Sequence, residues 1–259
     1  MITILTPSYN RSHTLPRLYA SLCAQKSRNF EWLIVDDGSD DDTQSLVEEF
    51  HRVGEIEIRY HRQENSGKHA ALNTGACLSR GGWIYIVDSD DELPLDALEV
   101  IDKKLSTLDQ SSTVGVCFRK SYFNGVIIGK SVPGGQTLVM SPTQAGNYLK
   151  GDLAYVFNSD IFRRVPFPVV PGEKFVPELY IWNKISDFGE IVFFTDMVTY
   201  LCDYLEDGYT HNFKKNLMES PLGFLIYYSS QISRERSFIR KLKCLIRSLQ
   251  CMFYAMKKG

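Results

Sequence analysis

Four acidic residues directly follow a run of apolar and aromatic residues in the segment IYIVDSDDELP, residues 84–94. The apolar run predicts a buried strand that ends where the acidic residues begin. The carboxyl groups of Asp88, Asp90, Asp91 and Glu92 would repel one another and resist ionisation unless positive charge lies close to them. The segment therefore implies a bound cation, a basic ligand group or exposure to solvent.

Three interpretations of this segment compete, and the first is a calcium loop of the EF-hand type. The ligand positions 1, 3, 5, 9 and 12 of such a loop would be Asp88, Asp90, Glu92, Asp96 and Glu99. Position 6 is Leu93, where the loop needs glycine, and the preceding residues predict a strand instead of a helix. The spacing therefore gives this interpretation little support.

The second interpretation is a helix N-terminus, with Asp91 or Glu92 as the cap ahead of Pro94. The third is a pair of carboxylates that holds Mg²⁺ or Mn²⁺ against a diphosphate, because hard divalent cations bind one or two carboxylates together with phosphate oxygens. The third interpretation explains the crowding of the acids best, and the second is compatible with any function.

Two further polar segments follow the first two predicted strands. TPSYN supplies Tyr9, whose ring could stack on a flat base, and VDDGSDDDT supplies Asp36 and Asp37. A carboxylate there could accept the N3 proton of uracil or the hydroxyls of ribose. Taken alone, DDGS is also typical of a simple turn followed by a helix cap.

The segment NSGKHAALNTG places Lys68 at the start of a predicted helix. An ammonium group and the free N–H groups of a helix N-terminus together favour phosphate. His69 and Asn73 are four residues apart, so one helical face could direct both toward the same ligand.

The elements that must position these residues alternate along the first hundred residues. Residues 2–7, 31–37, 56–62 and 83–88 predict strands, and residues 14–25, 43–53 and 68–79 predict helices. This order predicts an α/β fold with a parallel sheet and helices on both faces, in which ligands bind at the carboxyl ends of the strands. Further on the order becomes mixed: a helix to Leu108, a strand at 114–119, a hairpin-like stretch at 122–138, and a helix at 178–189.

Composition indicates a soluble globular protein, with 44% hydrophobic and 23% charged residues among 259. The first residues do not resemble a signal peptide, and no window approaches the roughly 18 apolar residues that cross a bilayer. Six cysteines without a CxxC pair suit reduced, packed thiols, so neither zinc nor a disulfide framework is expected. Together these features predict a cytoplasmic location, and with it the inner face of the cell membrane if the chain binds lipid.

The motifs TPSYNR, VDDGSDDDT, NSGKHAALNTG and VDSDDELP, in this order over residues 1–110, resemble the family 2 glycosyltransferases of the GT-A fold. The resemblance implies a Rossmann-like, nucleotide-binding mixed sheet with helices on both faces, followed here by a C-terminal helical tail. It also implies a DXD pair, Asp88 and Asp90, of which Asp90 would bind Mn²⁺ or Mg²⁺ most directly. The nucleotide-sugar ligands implied are Pro7, Tyr9, Asp36, Asp37, Lys68, Asn73, Asp88 and Ser89.

Such enzymes invert the anomeric centre in one displacement, so a carboxylate must remove the proton of the acceptor hydroxyl. The family places this base at the start of a helix in the second half, and Glu178 in GEKFVPELYIWNKI is the best match. Because the family's Glu-Asp pair reads Glu178-Leu179 here, Glu173 remains a rival. Glu178 could also be only a first-turn acid favoured by the helix dipole. His211 matches an extra metal ligand of some GT-A enzymes, although a single surface histidine often has no such role.

We divide the chain into a GT-A domain at residues 1–233, with a nucleotide-sugar half (1–110) and an acceptor half (111–233), and a basic amphipathic helical tail at 234–259. The tail carries eight Lys and Arg against one Glu, whereas the rest carries 21 basic and 30 acidic residues. Its apolar stripe predicts a helix packed on the body, a coiled-coil seam of a homodimer, or a helix lying on an anionic membrane. The stripe comprises Phe238, Leu242, Leu245, Leu249, Met252 and Met256, with Ile239, Ile246 and Phe253 beside it.

The sequence thus predicts a metal-dependent, inverting enzyme that transfers one sugar from a UDP-sugar to a glycan or lipid-linked acceptor in surface polysaccharide assembly. The Q-x-x-R-W signature and the membrane spans of processive synthases are absent from the sequence. No nucleic-acid partner is expected. Two alternatives are a non-catalytic nucleotide-sugar-binding or regulatory protein on the same fold and, with less support, a nucleotidyltransferase, whose Gly-rich phosphate loop does not follow the first strand.

Overall fold

A computed structural model describes residues 1–203 and 213–258. Eight strands form one sheet: β1 (Ile2–Ser8), β2 (Phe30–Asp36), β3 (Ile58–Arg62), β4 (Trp83–Ile86), β5 (Thr113–Ser121), β6 (Thr137–Val139), β7 (Leu153–Asn158) and β8 (Glu190–Leu201). The helices are α1 (Leu15–Cys23), α2 (Thr43–Val53), α3 (Lys68–Leu78), α4 (Ala97–Leu105), α5 (Pro142–Leu149), α6 (Ser159–Arg164), α7 (Leu179–Ile185), α8 (Phe213–Glu219), α9 (Pro221–Arg234) and α10 (Phe238–Lys258).

The strand order is β3-β2-β1-β4-β7-β5-β8-β6. The first four strands in this order are parallel, β7 runs antiparallel to β4 and β5, β8 is parallel to β5, and β6 is antiparallel to β8. The predicted α/β fold with a mixed sheet and C-terminal helices is confirmed. The hairpin expected at residues 122–138 is shorter than predicted, because its pairing stops at a bridge between Ser121 and Ile127.

The sheet separates two hydrophobic clusters, one on each face. Ile4, Trp32 and Tyr85 belong to the cluster packed against α1 and α4, whereas Leu5 and Leu33 belong to the cluster packed against α3 and α7. Neighbouring residues of one strand fall in different clusters because side chains alternate between the faces of a sheet. All seven residues of β1 are buried for the same reason, since helices cover both faces.

The acidic segment after β4 forms a turn and an extended connection, and not a helix start. Asp91 N–H donates to the carbonyl of Asp88, and Glu92 pairs with Leu201 as an antiparallel bridge. Since α4 begins at Ala97, the interpretation of Asp91 or Glu92 as its cap is wrong. The calcium-loop interpretation is wrong too, because a strand precedes the segment and Glu92 is held in the sheet.

The tail helix α10 packs on α9 through small side chains. Cys244, Ser248 and Cys251 are its buried residues, whereas every member of the apolar stripe is exposed. The interpretation of the stripe as a face packed on the body is therefore wrong, because α10 uses another side for that contact. None of the helices described is both long enough and apolar enough to cross a membrane.

Candidate active site

The loops that follow β1 and β2 are joined by hydrogen bonds. Asn10 N–H donates to Ser39 Oγ at 2.8 Å, and Asp40 N–H donates to Asn10 Oδ1 at 2.9 Å. Pro7 is buried within β1, opposite Val35 of β2, whereas Tyr9 just beyond it is 45% exposed. The ring of Tyr9 is thus presented to an incoming planar group by a fixed loop.

Asp36 and Asp37 are buried, and protein groups bind both carboxylates. Asp36 accepts hydrogen bonds from Tyr60 Oη at 2.5 Å and from the backbone of Ser39 at 2.9 Å. Asp37 accepts from Gln63 Nε2 at 2.7 Å and from the backbone N–H groups of Ser66 and Gly67 at 2.9 and 2.7 Å. Asp37 therefore fixes the connection between β3 and α3.

An open cleft of about 410 Å³ lies along that connection. It is lined by Gly38 and by residues 62–65, so the segment that Asp37 fixes forms its wall. A cleft of this volume, at the carboxyl ends of parallel strands, has the size and place of a nucleotide site.

Lys68, the first residue of α3, joins two carboxylates from distant parts of the chain. Its Nζ lies 2.6 Å from Asp88 Oδ1 and 2.8 Å from Glu178 Oε1. Burial alone would lower the pKa of Lys68, but the two carboxylates outweigh burial and raise it well above its usual value. The ammonium group therefore stays charged and holds the candidate metal ligand and the candidate base on either side of itself.

Glu178 reaches this place because its loop packs against the start of α3. Gly67 has φ +92°, and a Cβ built on it would lie 2.2 Å from the carbonyl oxygen of Lys174. Only glycine allows the two backbones to approach so closely. Glu178, four residues after Lys174 in the sequence, is the N-cap of α7, and its side chain is 35% exposed.

The three aspartates after β4 lie near three basic side chains, Lys68, Lys120 and Arg11, yet two of the three have raised pKa values. Burial would raise the pKa of Asp88, but Lys68 and Lys120 lower it. The pKa of Asp90 is raised by burial and by the charge of Asp88. The same two causes raise the pKa of Asp91 to about 7. The donor set thus has room for a further positive charge.

The neighbouring carboxyl groups of Asp88 and Asp90 fit a divalent cation, which oxygen ligands bind. Among the described residues, no group of three or more His, Cys, Asp and Glu side chains could hold a metal by itself. A pair of carboxylates completed by phosphate oxygens is the usual arrangement for Mg²⁺ at nucleotide sites. His211, the third metal ligand predicted, lies outside the described residues.

Two residues close to Asp88 and Asp91, Tyr200 and Lys120, escaped prediction from the sequence. Tyr200 Oη donates to Asp91 Oδ2 at 2.7 Å and accepts from the backbone N–H of Asp88 at 2.8 Å. Lys120 Nζ lies 3.7 Å from the centre of the Tyr200 ring. They meet because they are register partners on β5 and β8, and neither lies in a recognisable motif. They and Lys68 line a cavity of about 40 Å³ between Asp88 and Glu178.

Three residues singled out in the sequence do not line this cavity: Asn73, His69 and Ser89. Asn73 Nδ2 donates to the carbonyl of Phe167 at 2.9 Å, and its Oδ1 accepts from the N–H of Phe167 at 2.7 Å. His69 is buried with its ring edge-on to that of Phe167, and burial lowers its pKa. Ser89 is buried between the two aspartates of the DXD pair.

Glu173, the rival base, is bound to the start of α9. Its Oε1 accepts from the N–H of Leu222 at 2.9 Å, and its Oε2 accepts from the N–H of Gly223 at 2.8 Å. The side chain is buried, and neither Glu173 nor α9 lines the cavity around Lys68. Both oxygens therefore satisfy a helix N-terminus that would otherwise lack acceptors.

Two bacterial relatives match part of the chain. Glycosyltransferase GlyA of Streptococcus pneumoniae is 35% identical over 114 residues, which cover 44% of this chain and 16% of GlyA. Chondroitin synthase of Escherichia coli is 38% identical over 100 residues, which cover 39% of this chain and 14% of that protein. The chain thus matches only about a sixth of the length of each relative.

Solved structures resemble the chain over nearly its full length at low identity. S. aureus TarS 1–349 in complex with UDP-GlcNAc has a TM-score of 0.66 at 16% identity, with 99% of this chain and 72% of that one covered. The mannosyltransferase PcManGT from Pyrobaculum calidifontis, in complex with GDP-Man and Mn²⁺, has a TM-score of 0.64 at 18% identity, with 100% and 75% covered. These similarities establish the shared fold.

The family model described as Glycosyl transferase family 2 matches residues 3–162, more than half of the chain. That range includes the loops after β1 and β2, Lys68 and the aspartates after β4. The chain therefore belongs to glycosyl transferase family 2.

Proposed function

We propose that this chain is a metal-dependent, inverting glycosyltransferase that moves one sugar from a UDP-sugar to a glycan or lipid-linked acceptor during surface polysaccharide assembly. The observation that carries the proposal is the pair of contacts made by Lys68, at 2.6 Å to Asp88 and 2.8 Å to Glu178. These contacts bring the candidate metal ligand and the candidate base to one cavity, although 90 residues separate Asp88 from Glu178 in sequence.

The residues divide the work of a single displacement. Tyr9 would stack on the base in the cleft whose wall Asp37 fixes. Asp88 and Asp90 would hold Mn²⁺ or Mg²⁺, which when bound neutralises charge on the departing diphosphate. Glu178 would accept the proton of the acceptor hydroxyl, and Lys68 would orient it for that step.

The cavity between Asp88 and Glu178, about 40 Å³, is much smaller than a sugar. We therefore propose that donor binding separates Lys68 from Glu178. The diphosphate offers the ammonium a partner with more negative charge, and Glu178 becomes free to approach the acceptor. Binding of the donor to Lys68 would thus release Glu178 to act as the base.

The neighbours support this choice of donor and cation. TarS has been solved with UDP-GlcNAc and PcManGT with GDP-Man and Mn²⁺. The name of the E. coli relative, chondroitin synthase, favours a polysaccharide product. All six cysteines are free thiols, which favours the cytoplasm. The rival function, a nucleotide-sugar-binding protein without catalysis, would need neither the base nor its contact with Lys68.

Hydrolysis of a panel of UDP- and GDP-sugars, measured with Mn²⁺ and after chelation, tests the proposal. We expect turnover of a UDP-sugar that chelation abolishes and that Asp90→Ala lowers more than tenfold, because loss of metal charge stabilisation typically costs several kcal/mol of barrier. Asp160→Ala is a matched control, since the Asp160 side chain is 85% exposed and pairs with Arg163 at the surface. Nucleotide binding without turnover in any sample would favour the non-catalytic rival.

A further inference from the structure

We infer that the exposed apolar face of α10 is a docking surface for an anionic lipid bilayer. The face consists of nine large side chains, each between 46% and 79% exposed: Phe238, Ile239, Leu242, Leu245, Ile246, Leu249, Met252, Phe253 and Met256. Together they present on the order of several hundred Å² of apolar surface, at or above the largest patches of ordinary monomers. Such a face implies an occupant.

Within residues 1–203 and 213–258, the body of the protein does not cover this face. The buried residues of α10, Cys244, Ser248 and Cys251, recur at spacings of four and three on a different side of the helix. Small residues at these positions allow α9 and α10 to pack closely. The large apolar residues are consequently directed away from the fold.

The width of the face argues against a second copy of this chain. The nine residues cover roughly 140° of the helix at about 100° per residue. A two-stranded coiled coil covers only the a and d positions, which here leaves Ile239, Ile246 and Phe253 exposed. A planar lipid surface would cover all nine at once.

The positive charge of α10 also favours a lipid surface over a second copy of this chain. Between Phe238 and Lys258 the helix carries six Lys and Arg and no Asp or Glu. Lys241 lies along one border of the apolar face, and Lys243 and Lys257 lie along the other. Within the described residues Lys241 and Lys243 form no ion pair. Two such helices would repel each other, whereas anionic headgroups would neutralise these borders.

The basic residues between the apolar ones also indicate how deeply α10 would enter the bilayer. Because Arg240, Lys241, Lys243 and Arg247 divide its apolar residues, α10 suits the plane of the interface and not a span. The remainder of the chain, which has more acidic than basic residues, would be repelled by the same surface. The molecule would therefore dock with the tail toward the bilayer.

Docking would bring the candidate base close to the membrane, a consequence that rests on the proposed function. Lys258 Nζ donates to the carbonyl of Gly172 at 3.1 Å, and Cys251 and Tyr254 belong to the apolar cluster that includes Phe175. The loop that contains these two contacts continues directly to Glu178. The geometry thus favours a lipid-linked acceptor over a soluble glycan.

Sedimentation with vesicles tests the docking. We expect the full chain to pellet with vesicles containing phosphatidylglycerol, to be released at high salt, and to stay in solution with phosphatidylcholine alone. Leu245→Gln with Leu249→Gln, and separately Lys241→Gln with Lys243→Gln, should each lower binding at least tenfold. Val53→Gln with Val126→Gln is the matched control, because both valines are more than half exposed and lie outside α10.

Equal binding by all variants, or no binding by the unaltered chain, would overturn the inference. A stable dimer that the Leu245→Gln, Leu249→Gln variant dissociates would instead assign the face to a second copy and would overturn it as well. Sugar-nucleotide hydrolysis without vesicles should be the same for that variant and the unaltered chain. Binding to vesicles without any hydrolysis would therefore contradict the proposed function alone.

Discussion

Lys68 forms two ion pairs, and its partners Asp88 and Glu178 come from different halves of the chain. The proposed mechanism therefore depends on the contacts of single residues. Glu178 and Glu173 lie five residues apart in one loop, yet their carboxylates have entirely different surroundings. Glu178 is in contact with an ammonium group in an accessible cleft, whereas Glu173 is buried against backbone N–H groups. The first arrangement leaves a carboxylate able to accept a proton, and the second uses it to stabilise a helix.

Exchange of each glutamate for glutamine separates these roles. Glu178→Gln should lower kcat by roughly a hundredfold or more with little change in nucleotide affinity, because proton removal occurs only in the transition state. Glu173→Gln should retain most of kcat but lose about 1 kcal/mol of unfolding free energy, since its amide nitrogen cannot accept the second N–H. Steady-state kinetics, nucleotide titration and urea unfolding measure the three quantities. The opposite ranking of kcat would make Glu173 the base.

At the scale of elements, carboxylates fix the loops that carry the site. Asp41 joins the loop after β1 to the start of α2: it accepts from the N–H of Ser12 at 2.9 Å and from Oγ1 of Thr43 at 2.6 Å. Burial favours the protonated form, but the hydrogen bonds from Thr43 and Ser12 outweigh it and lower the pKa of Asp41 to about 2. The stability that this residue contributes should therefore depend on pH.

Because the pKa of Asp41 is lower in the folded chain than its unfolded value of about 3.9, its contribution is complete above that value and is lost as the pH falls toward about 2. After allowance for solvent screening, we expect Asp41→Asn to lower the unfolding free energy by about 1 kcal/mol at neutral pH. Urea unfolding should show this difference shrinking below about pH 4. Asp42→Asn is the control, because the Asp42 side chain makes no capping bond. A difference that does not vary with pH would contradict the linkage.

In the molecule as a whole, the C-terminal helices support the loop that leads to the candidate base and are not only an appendage. Phe224 of α9 and Cys251 of α10 are buried in one cluster, and the ring of Phe175 stacks on that of Phe224 at 5.1 Å. The loop that leads to Glu178 therefore rests on the α9 and α10 pair. Loss of α10 would expose this cluster to water.

A chain that ends at Ser233 should consequently be less stable and less active. We expect its thermal midpoint to fall by at least about 5 °C, since a few kcal/mol of apolar burial is lost at roughly 2–4 °C per kcal/mol for a chain of this size. Calorimetry and kcat are the measurements. The Leu245→Gln, Leu249→Gln variant should keep the full midpoint, because those side chains are exposed. An unchanged midpoint in the shortened chain would mean that α10 stabilises nothing.

Local sequence patterns were enough to predict the strands and helices of the first hundred residues and the side chains that gather at their loops. Strands β1 to β4 and helices α1 to α3 follow from local periodicity, and their order makes the sheet parallel, which brings the loops of Tyr9, Asp37 and Asp88 to one edge. These features depend on neighbouring residues and on general rules of connection. Such information is contained in a short window of sequence.

The contacts between distant segments could not be predicted from the sequence and became known only from the tertiary structure. The bridge from Lys68 to Glu178, the use of Glu173 at the start of α9, and the pairing of Lys120 with Tyr200 all join residues more than 40 positions apart. The direction of the apolar face of α10 was decided in the same way, because periodicity defines a face without saying what covers it. Small residues on another side of that helix made the closer contact with α9 and left the large ones outside.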